Sequence, residues 1–460
     1  MNLEQLRKQA KELARAARAG DAQALERLGG REPILARAQL VLAREQGYPS
    51  WAALVAADAA SVEAFVLAAT GRQRTRAEAM LTARPEIAEG PYGRLVLGRG
   101  WAGDPCTPGG PRGWAPLLYV CHSCFPSATL ARELLDRGAD PNSSFENDYG
   151  AMSALYGAAG VAHDPELTRV LLEAGADPND GESLYHATEA RDVDCLRLLL
   201  EHGATIGGTN ALAHALDHDA PDHEAGEHAR LLLEAGADPN DGSLVAHAVR
   251  RGRGTATVRM LAAFGADLDR PGGETWRGDV RLRTPYQHAV LRGRDDVAEL
   301  LAELGASTDV SGDDVAVSAL SRGERAPAPL SGPFDHDEQE VVVLAALRGH
   351  YDAVVDAVGP DFRGVVGGSP EGSLLHHAAW IGSPELVRAL LARAADPRGG
   401  GGETGTPLAW AAHGSQHHLL EGRDYVAVAE LLVEAGAAVE DAMLELAEGP
   451  LYRWLESRVG

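Results

Sequence analysis

The nonapeptide Leu-Leu-Glu-Ala-Gly-Ala-Asp-Pro-Asn occurs twice without change, at Leu171–Asn179 and Leu232–Asn240. Variants of it run down most of the chain: LLDRGADPN ends at Asn142, LLEHGAT at Thr205, LAAFGADLD at Asp269, LAELGASTD at Asp309, LLARAADPR at Arg398 and LLVEAGAAVE at Glu440. Gly138, Gly175, Gly203, Gly236, Gly265 and Gly305 follow one another at spacings of 37, 28, 33, 29 and 40. A period of about 33 residues marks a supersecondary unit that cannot bury its apolar face alone, so neighbouring units must stack.

Each unit has a second signature about twenty residues before its glycine. SALYGAA starts at Ser153, SLYHA at Ser183, NALAHA at Asn210, SLVAHAV at Ser243, TPYQHAV at Thr284, SLLHHAA at Ser373 and TPLAWAA at Thr406. Ser or Thr ahead of Pro or an apolar residue caps a helix, and Pro is tolerated in the first turn, where its missing N–H is not needed. A second helix follows, as in Pro165–Ala174 or Asp295–Glu303, with apolar residues at i, i+3 and i+4. Gly then supplies a left-handed C-cap and Asp-Pro-Asn the turn out. These segments resemble the TPLHxA and Gly-Ala-Asp motifs of ankyrin repeats, over roughly residues 60–445. The resemblance implies an all-α ankyrin-repeat α-solenoid of helix–turn–helix units with finger loops, capped by helices at both ends.

The expected organisation is a helical capping module at 1–57, similar to the leader of bacterial ankyrin proteins, then divergent repeats at 58–113 and regular repeats at 114–310. Degenerate repeats with a Pro-rich insertion follow at 311–362, C-terminal repeats at 363–440 and a cap helix at 441–460. Leu3–Ala19, Asp21–Leu28 and Leu35–Gln46 read as the leader's helices. Ser143–Gly150 and Arg270–Arg283 lengthen two fingers, while Gly323–Asp337 splits a degenerate repeat before a helix pair resumes at Glu340.

Forty-two basic against sixty-seven acidic residues leave a formal charge of −25. That balance argues against nucleic acid and membrane as partners, which need clustered positive charge, and suits a basic partner. The charged N-terminus is no signal peptide, and no apolar run approaches the roughly 20 residues of a membrane span. A cytoplasmic location is expected. Four cysteines are too few for a disulfide framework in a chain of 460 residues. No nucleophile elbow, P-loop, dinucleotide fingerprint or HExxH occurs, so no cofactor is expected.

His186, His214, His247, His288 and His377 share one repeat position. Helices packed 8–10 Å apart keep one histidine per repeat too far from its neighbours for a shared metal, which points to hydrogen bonding. His214, His218 and His223 form a denser set, because residues four apart on a helix can reach one ion; a solvated turn is the expected reading, and no metal site is expected there. Cys121-His122-Ser123-Cys124 has no second CxxC and reads as helix packing. In ankyrin proteins the two residues after each TPLHxA-like segment face the concave groove, which here places His122 and Ser123, Glu189 and Ala190, Asp217 and His218, Arg250 and Arg251, and Trp380 and Ile381 there. Trp276, Trp380, Trp410, Arg250, Arg251 and Glu189 are the expected anchors for a protein or peptide partner, Trp and Arg being enriched at hot spots. An alternative makes the groove an enzyme or small-molecule pocket, with His122, Glu189, Asp217, His218 and His413 as acid–base groups. A third makes the chain an immunity or inhibitor protein masking a basic partner. The sequence leaves oligomeric state open.

Overall fold

The computed structural model describes residues 3–30, 33–52, 54–55, 62–217, 222–273, 281–327, 330, 332–367, 369–400, 405–417, 423–447 and 449–458. Of these, residues 3–5, 222–225, 417 and 445 are described by backbone alone. The contacts gather the chain into two units. The first comprises Met1–Glu12, Gln39–Asp241 and Arg259–Ala266; the second comprises Leu13–Ala38, Gly242–Val258 and Asp267–Gly460. The leader helices Leu3–Arg18, Ala22–Arg27 and Leu35–Glu45 form within a residue or two of expectation. Met1–Glu12 groups with the first unit and Leu13–Ala38 with the second.

Helix pairs dominate the described residues. Ser153 and Asp164 show how their starts are fixed: Ser153 Oγ accepts from the Tyr156 N–H at 2.8 Å, and Asp164 Oδ1 from the Leu167 N–H at 3.0 Å. Each satisfies a donor the first helical turn leaves orphaned. In the first unit Leu117, Leu134, Leu155, Leu167, Leu171, Leu199 and Leu232 are sealed from solvent. The second unit has a continuous apolar core running from Leu291 to Leu455. Truncating one such leucine to alanine costs about 2–5 kcal/mol.

The repeated glycine is a left-handed turn. Gly175 sits at φ 92°, a conformation that crowds any Cβ. The variant LLARAADPR places Ala394 there instead, at φ 65°.

The asparagine of Asp-Pro-Asn explains why the phrase recurs. Asn142 donates from Nδ2 to the Gly175 carbonyl at 3.1 Å and accepts the Asp177 N–H at Oδ1 at 2.7 Å. Asn179 repeats this one unit on, with the Gly203 carbonyl at 3.4 Å and the Thr205 N–H at 2.7 Å. Asn240 reaches the Gly265 carbonyl, Asp269 accepts the Ser307 N–H, and Arg398 Nε donates to the Gly436 carbonyl at 2.8 Å. One side chain thus satisfies the last turn of the next helix pair.

Two departures from an all-helical reading appear. The finger after Ser143 is a hairpin, Ser144–Asn147 pairing antiparallel with Gly150–Ser153, and Arg363–Gly364 pairs with Gly372–Ser373. The helix expected from Glu340 starts four residues earlier, at His336. Asp335 caps it, its carboxylate accepting the Asp337 and Glu338 N–H groups at 2.9 and 3.2 Å while Glu338 returns to the Asp335 N–H. Such a reciprocal capping box outweighs the Pro-rich stretch before it.

Candidate binding site

Across the first unit the helix starts and the hairpin finger line up aromatic rings. Trp114 stacks on Phe145 of the finger with centroids 4.0 Å apart, and His122 meets both Phe145 and Tyr156. Tyr156 leads to His186 at 5.2 Å, His186 to Tyr185 at 4.9 Å, and Tyr185 stacks on His214 at 3.7 Å. Trp114 and Tyr156 are nearly covered. The far end of the row is open, with the His186 side chain 24% exposed, Glu189 28% and Glu182 34%.

At that open end His186 Nδ1 lies 2.7 Å from Glu189 Oε1, and its Nε2 lies 3.2 Å from Glu182 Oε2. His214 Nε2 approaches the same Glu189 oxygen at 3.6 Å, and its Nδ1 meets Thr188 Oγ1 at 2.8 Å. Two histidines from successive repeats therefore converge on one carboxylate. Their ring centroids are 6.1 Å apart. Burial, followed by Asp217, Glu189 and Glu182, raises the Tyr185 hydroxyl above its ordinary range. Arg72 donates to the Tyr156 hydroxyl at 2.8 Å.

Other expected site residues take different roles. His122 is buried and bonds the Ser153 carbonyl at 2.8 Å; burial pushes its imidazole down to about 4, so it is neutral and enclosed instead of lining a groove. Its neighbour Ser123 is also buried and donates to the Val96 carbonyl. Trp410 is a core residue, 6% exposed and edge-on to His376 and His377. Trp380 is half-buried between Trp410 and the exposed His413. Arg251 is exposed and Asp217 half-buried. Trp276 and His218 lie outside the described residues, as does the His223 side chain. Among the described residues no three His, Cys, Asp or Glu side chains are grouped to hold a metal ion. Cys121 and Cys195 are buried and Cys124 half-buried; burial raises all three thiols, Cys195 to about 11.

Arg250 departs furthest from expectation. Its guanidinium is 7% exposed and donates through Nε and Nη2 to Asp337 Oδ1 at 3.1 and 3.0 Å. It belongs to a buried ionic cluster that sequence reasoning missed. Arg283, fully buried, donates to Asp314 at 2.8–2.9 Å and to Glu338 at 2.8 Å, and pairs with Asp335 at 2.8 Å. Arg292 bridges Asp337 and Glu340 at 3.1 and 2.9 Å. Burial pushes the Asp337 and Glu340 carboxyls up, but the arginines beside them prevail and both end below their usual range. An antiparallel bridge between Gly272 and Arg283 closes the long finger and holds Arg283 in place, and buried His288 bonds the Gly272 carbonyl at 2.8 Å. The sequence shows only the two halves apart, a density of Asp and Glu from Asp335 to Glu340 and, some fifty residues earlier, Arg281-Leu282-Arg283, with nothing to pair them.

Residues 155–243 match the family model for ankyrin repeats, in three copies. Among solved structures, the ankyrin repeat domain of Bcl-3, described as a unique member of the IκB protein family, is 24% identical over 39% of this chain and 82% of its own, with a TM-score of 0.31. The human ASB11 ankyrin repeat domain is 21% identical over 52% of this chain and 98% of its own, with a TM-score of 0.23. Among curated proteins no relative matches the chain. No helix among the described residues is long and apolar enough to cross a membrane.

Proposed function

We propose that this chain, whose residues 155–243 match ankyrin repeats, is a binding scaffold engaging a protein or peptide partner through the concave face of a solenoid, closed at its ends by the leader and the C-terminal helices. Ankyrin repeats are generally protein–protein interaction modules. The observation that carries the reading is the row of rings ending in half-exposed Tyr185, His186, Glu182 and Glu189, within the matched repeats. Rings walled by carboxylates join apolar area to charge selectivity, as partner hot spots do. Trp380, half-exposed in the second unit, is a second anchor.

The test is capture from the source lysate with wild type, Tyr185→Ala and Trp380→Ala, each preparation also weighed by native mass spectrometry. A protein held by wild type and released by either variant supports the scaffold. A small molecule or metal travelling with the chain, and no protein, overturns it in favour of acid–base chemistry at Glu189, Asp217 and His413. His122 stands outside that alternative, because burial keeps it neutral and enclosed.

A further inference from the structure

In the second unit one nitrogen faces three carboxyl groups. Arg283 Nη2 lies 2.8 Å from Asp314 Oδ1, from Asp335 Oδ2 and from Glu338 Oε1, yet it carries only two hydrogens. Those go to Asp314 and Glu338. Asp335 Oδ2 is left buried without a hydrogen bond, while Oδ1 of the same group accepts the Asp337 and Glu338 N–H groups. The four side chains are 0–8% exposed. Half-exposed Arg281 approaches the three carboxyls at 3.6–4.0 Å, beyond hydrogen-bonding reach. Among the described residues no other cation pairs with them. Neighbouring Asp337 is held by Arg250 and Arg292 with His288 close by, and Glu340 by Arg292. On the elements packed against the Glu338 helix, Arg322 pairs with Asp295 and Glu324, Arg363 with Glu371, and Asp352 and Asp356 with Arg393.

We propose that Asp335 and Glu338 hold one proton between them in the folded chain, and that this proton makes the clamp on Arg283 a pH-sensitive latch for the finger it closes. Three like charges gathered on one guanidinium in a dry site are costly to ionise together, and a proton supplies the one hydrogen the group lacks. With the proton on Glu338 Oε1, that oxygen accepts from Arg283 Nη2 and donates to Asp335 Oδ2, while Oε2 keeps accepting the Asp335 N–H at 2.9 Å. All four oxygens of the pair then have hydrogen bonds. Burial raises the Glu338 carboxyl above its usual range, the Asp335 carboxylate adds to it, and together they outweigh the Asp335 N–H, Arg283 and Arg281. A carboxyl raised in the fold stabilises fully below its unfolded value of about 4.3, and that contribution is lost as pH rises through the folded value. The latch therefore loosens as pH rises. This inference is independent of the scaffold reading.

The experiment follows hydrogen exchange at the Gly272 and Arg283 amides, which bond each other's carbonyls, in the full chain between about pH 5 and pH 8, corrected for the intrinsic pH dependence of exchange. The proteins are wild type, Glu338→Gln, and Glu299→Gln, which removes an exposed carboxylate elsewhere. Glutamine keeps an N–H donor for Asp335 and cannot lose it. Histidine contributions are common to all three proteins and cancel in the ratios. We expect protection in Glu338→Gln relative to wild type to rise by about 10-fold across this range, one unit of raised pKa being tenfold, and in Glu299→Gln to stay within about 2-fold. A ratio for Glu338→Gln that is flat or falls with pH overturns the proposal. Infrared spectra of wild type give a reading that does not depend on that variant folding: a protonated-carboxyl C=O band should persist above about pH 6, where ordinary carboxyls are ionised, and vanish in Asp335→Asn, whose amide supplies the hydrogen instead. Absence of that band in wild type, or its survival in Asp335→Asn, overturns the shared proton.

Discussion

Asn142 and Asn179 in the first unit tie successive repeats through neutral amides at 2.7–3.4 Å, whereas Arg283 in the second ties three separate segments through one guanidinium shared among Asp314, Asp335 and Glu338. The amide rung sits at the surface, loses little hydration on forming, and contributes about 1 kcal/mol. The arginine is fully buried. Its desolvation is offset only while every carboxylate stays in place, so the cluster adds little net stability yet is costly to break. Where the repeat phrase is regular, junctions are alike and individually weak. Where it degenerates, around the 323–337 insertion, charge takes over.

Removing Arg283 should expose this contrast most. Arg283→Met leaves three buried carboxylates with only the half-exposed Arg281, at 3.6–4.0 Å, and should cost about 3–5 kcal/mol, whereas Asn179→Ala should cost about 1 kcal/mol. Hydrogen exchange across residues 312–345 and 194–216 reads the two regions separately. A loss below about 1 kcal/mol for Arg283→Met would erase the distinction.

Acid provides the next test. Burial depresses His122 in the first unit to about 4, and His288 and His376 in the second to about 3 and about 4. In the unfolded chain imidazole titrates near 6.5, so below that pH the unfolded state binds more protons and stability falls toward each folded value. At pH 5 each such histidine forfeits about 2 kcal/mol relative to pH 7. The second unit carries two of the three, and its Asp337 and Glu340 lose stabilisation at still lower pH, so its amides should open first. Equal exchange in both units at pH 5 would contradict this.

The smallest effect concerns the turn. Ala394 holds a left-handed φ of 65° where Gly175 has 92°. An L-residue there costs about 1–2 kcal/mol, partly regained through the narrower unfolded ensemble. Ala394→Gly should therefore raise stability by about 0.5–1 kcal/mol, and Gly175→Ala should lower it by a similar amount. A lower Tm for Ala394→Gly would mean the turn is not where the second unit stores strain.

Much of the fold was legible because its signals are local. Ser153, Asp164 and Thr284 cap helices through bonds three residues away, and the leader helices follow from their own periodicity. The ionic cluster was not legible. Arg283 pairs 31 and 55 residues away and Arg250 pairs 87 residues away, so no window shows donor and acceptor together. Arg250 was expected in the groove because its repeat position faces it, and Trp410 as an aromatic anchor joining the same surface; the identity of the neighbour, a carboxylate in one case and two histidines in the other, turned both inward. Glu189 was singled out by position alone, and its two histidines became visible only with the stacking of Tyr185 on His214.

The rungs carry one further consequence. The same kind of bond is made across separations of 24, 26, 33 and 38 residues, by Asn179 to Gly203 and Thr205, Asn142 to Gly175, and Arg398 to Gly436. Because it runs from turn to turn, the length of the intervening finger is no part of its geometry. Lengthening a surface loop is cheap, about 0.6 kcal/mol per doubling. Fingers are thus free to gain or lose residues one at a time without loosening the joints between repeats, and Tyr149, 89% exposed at the tip of the hairpin, shows how far such a finger can project.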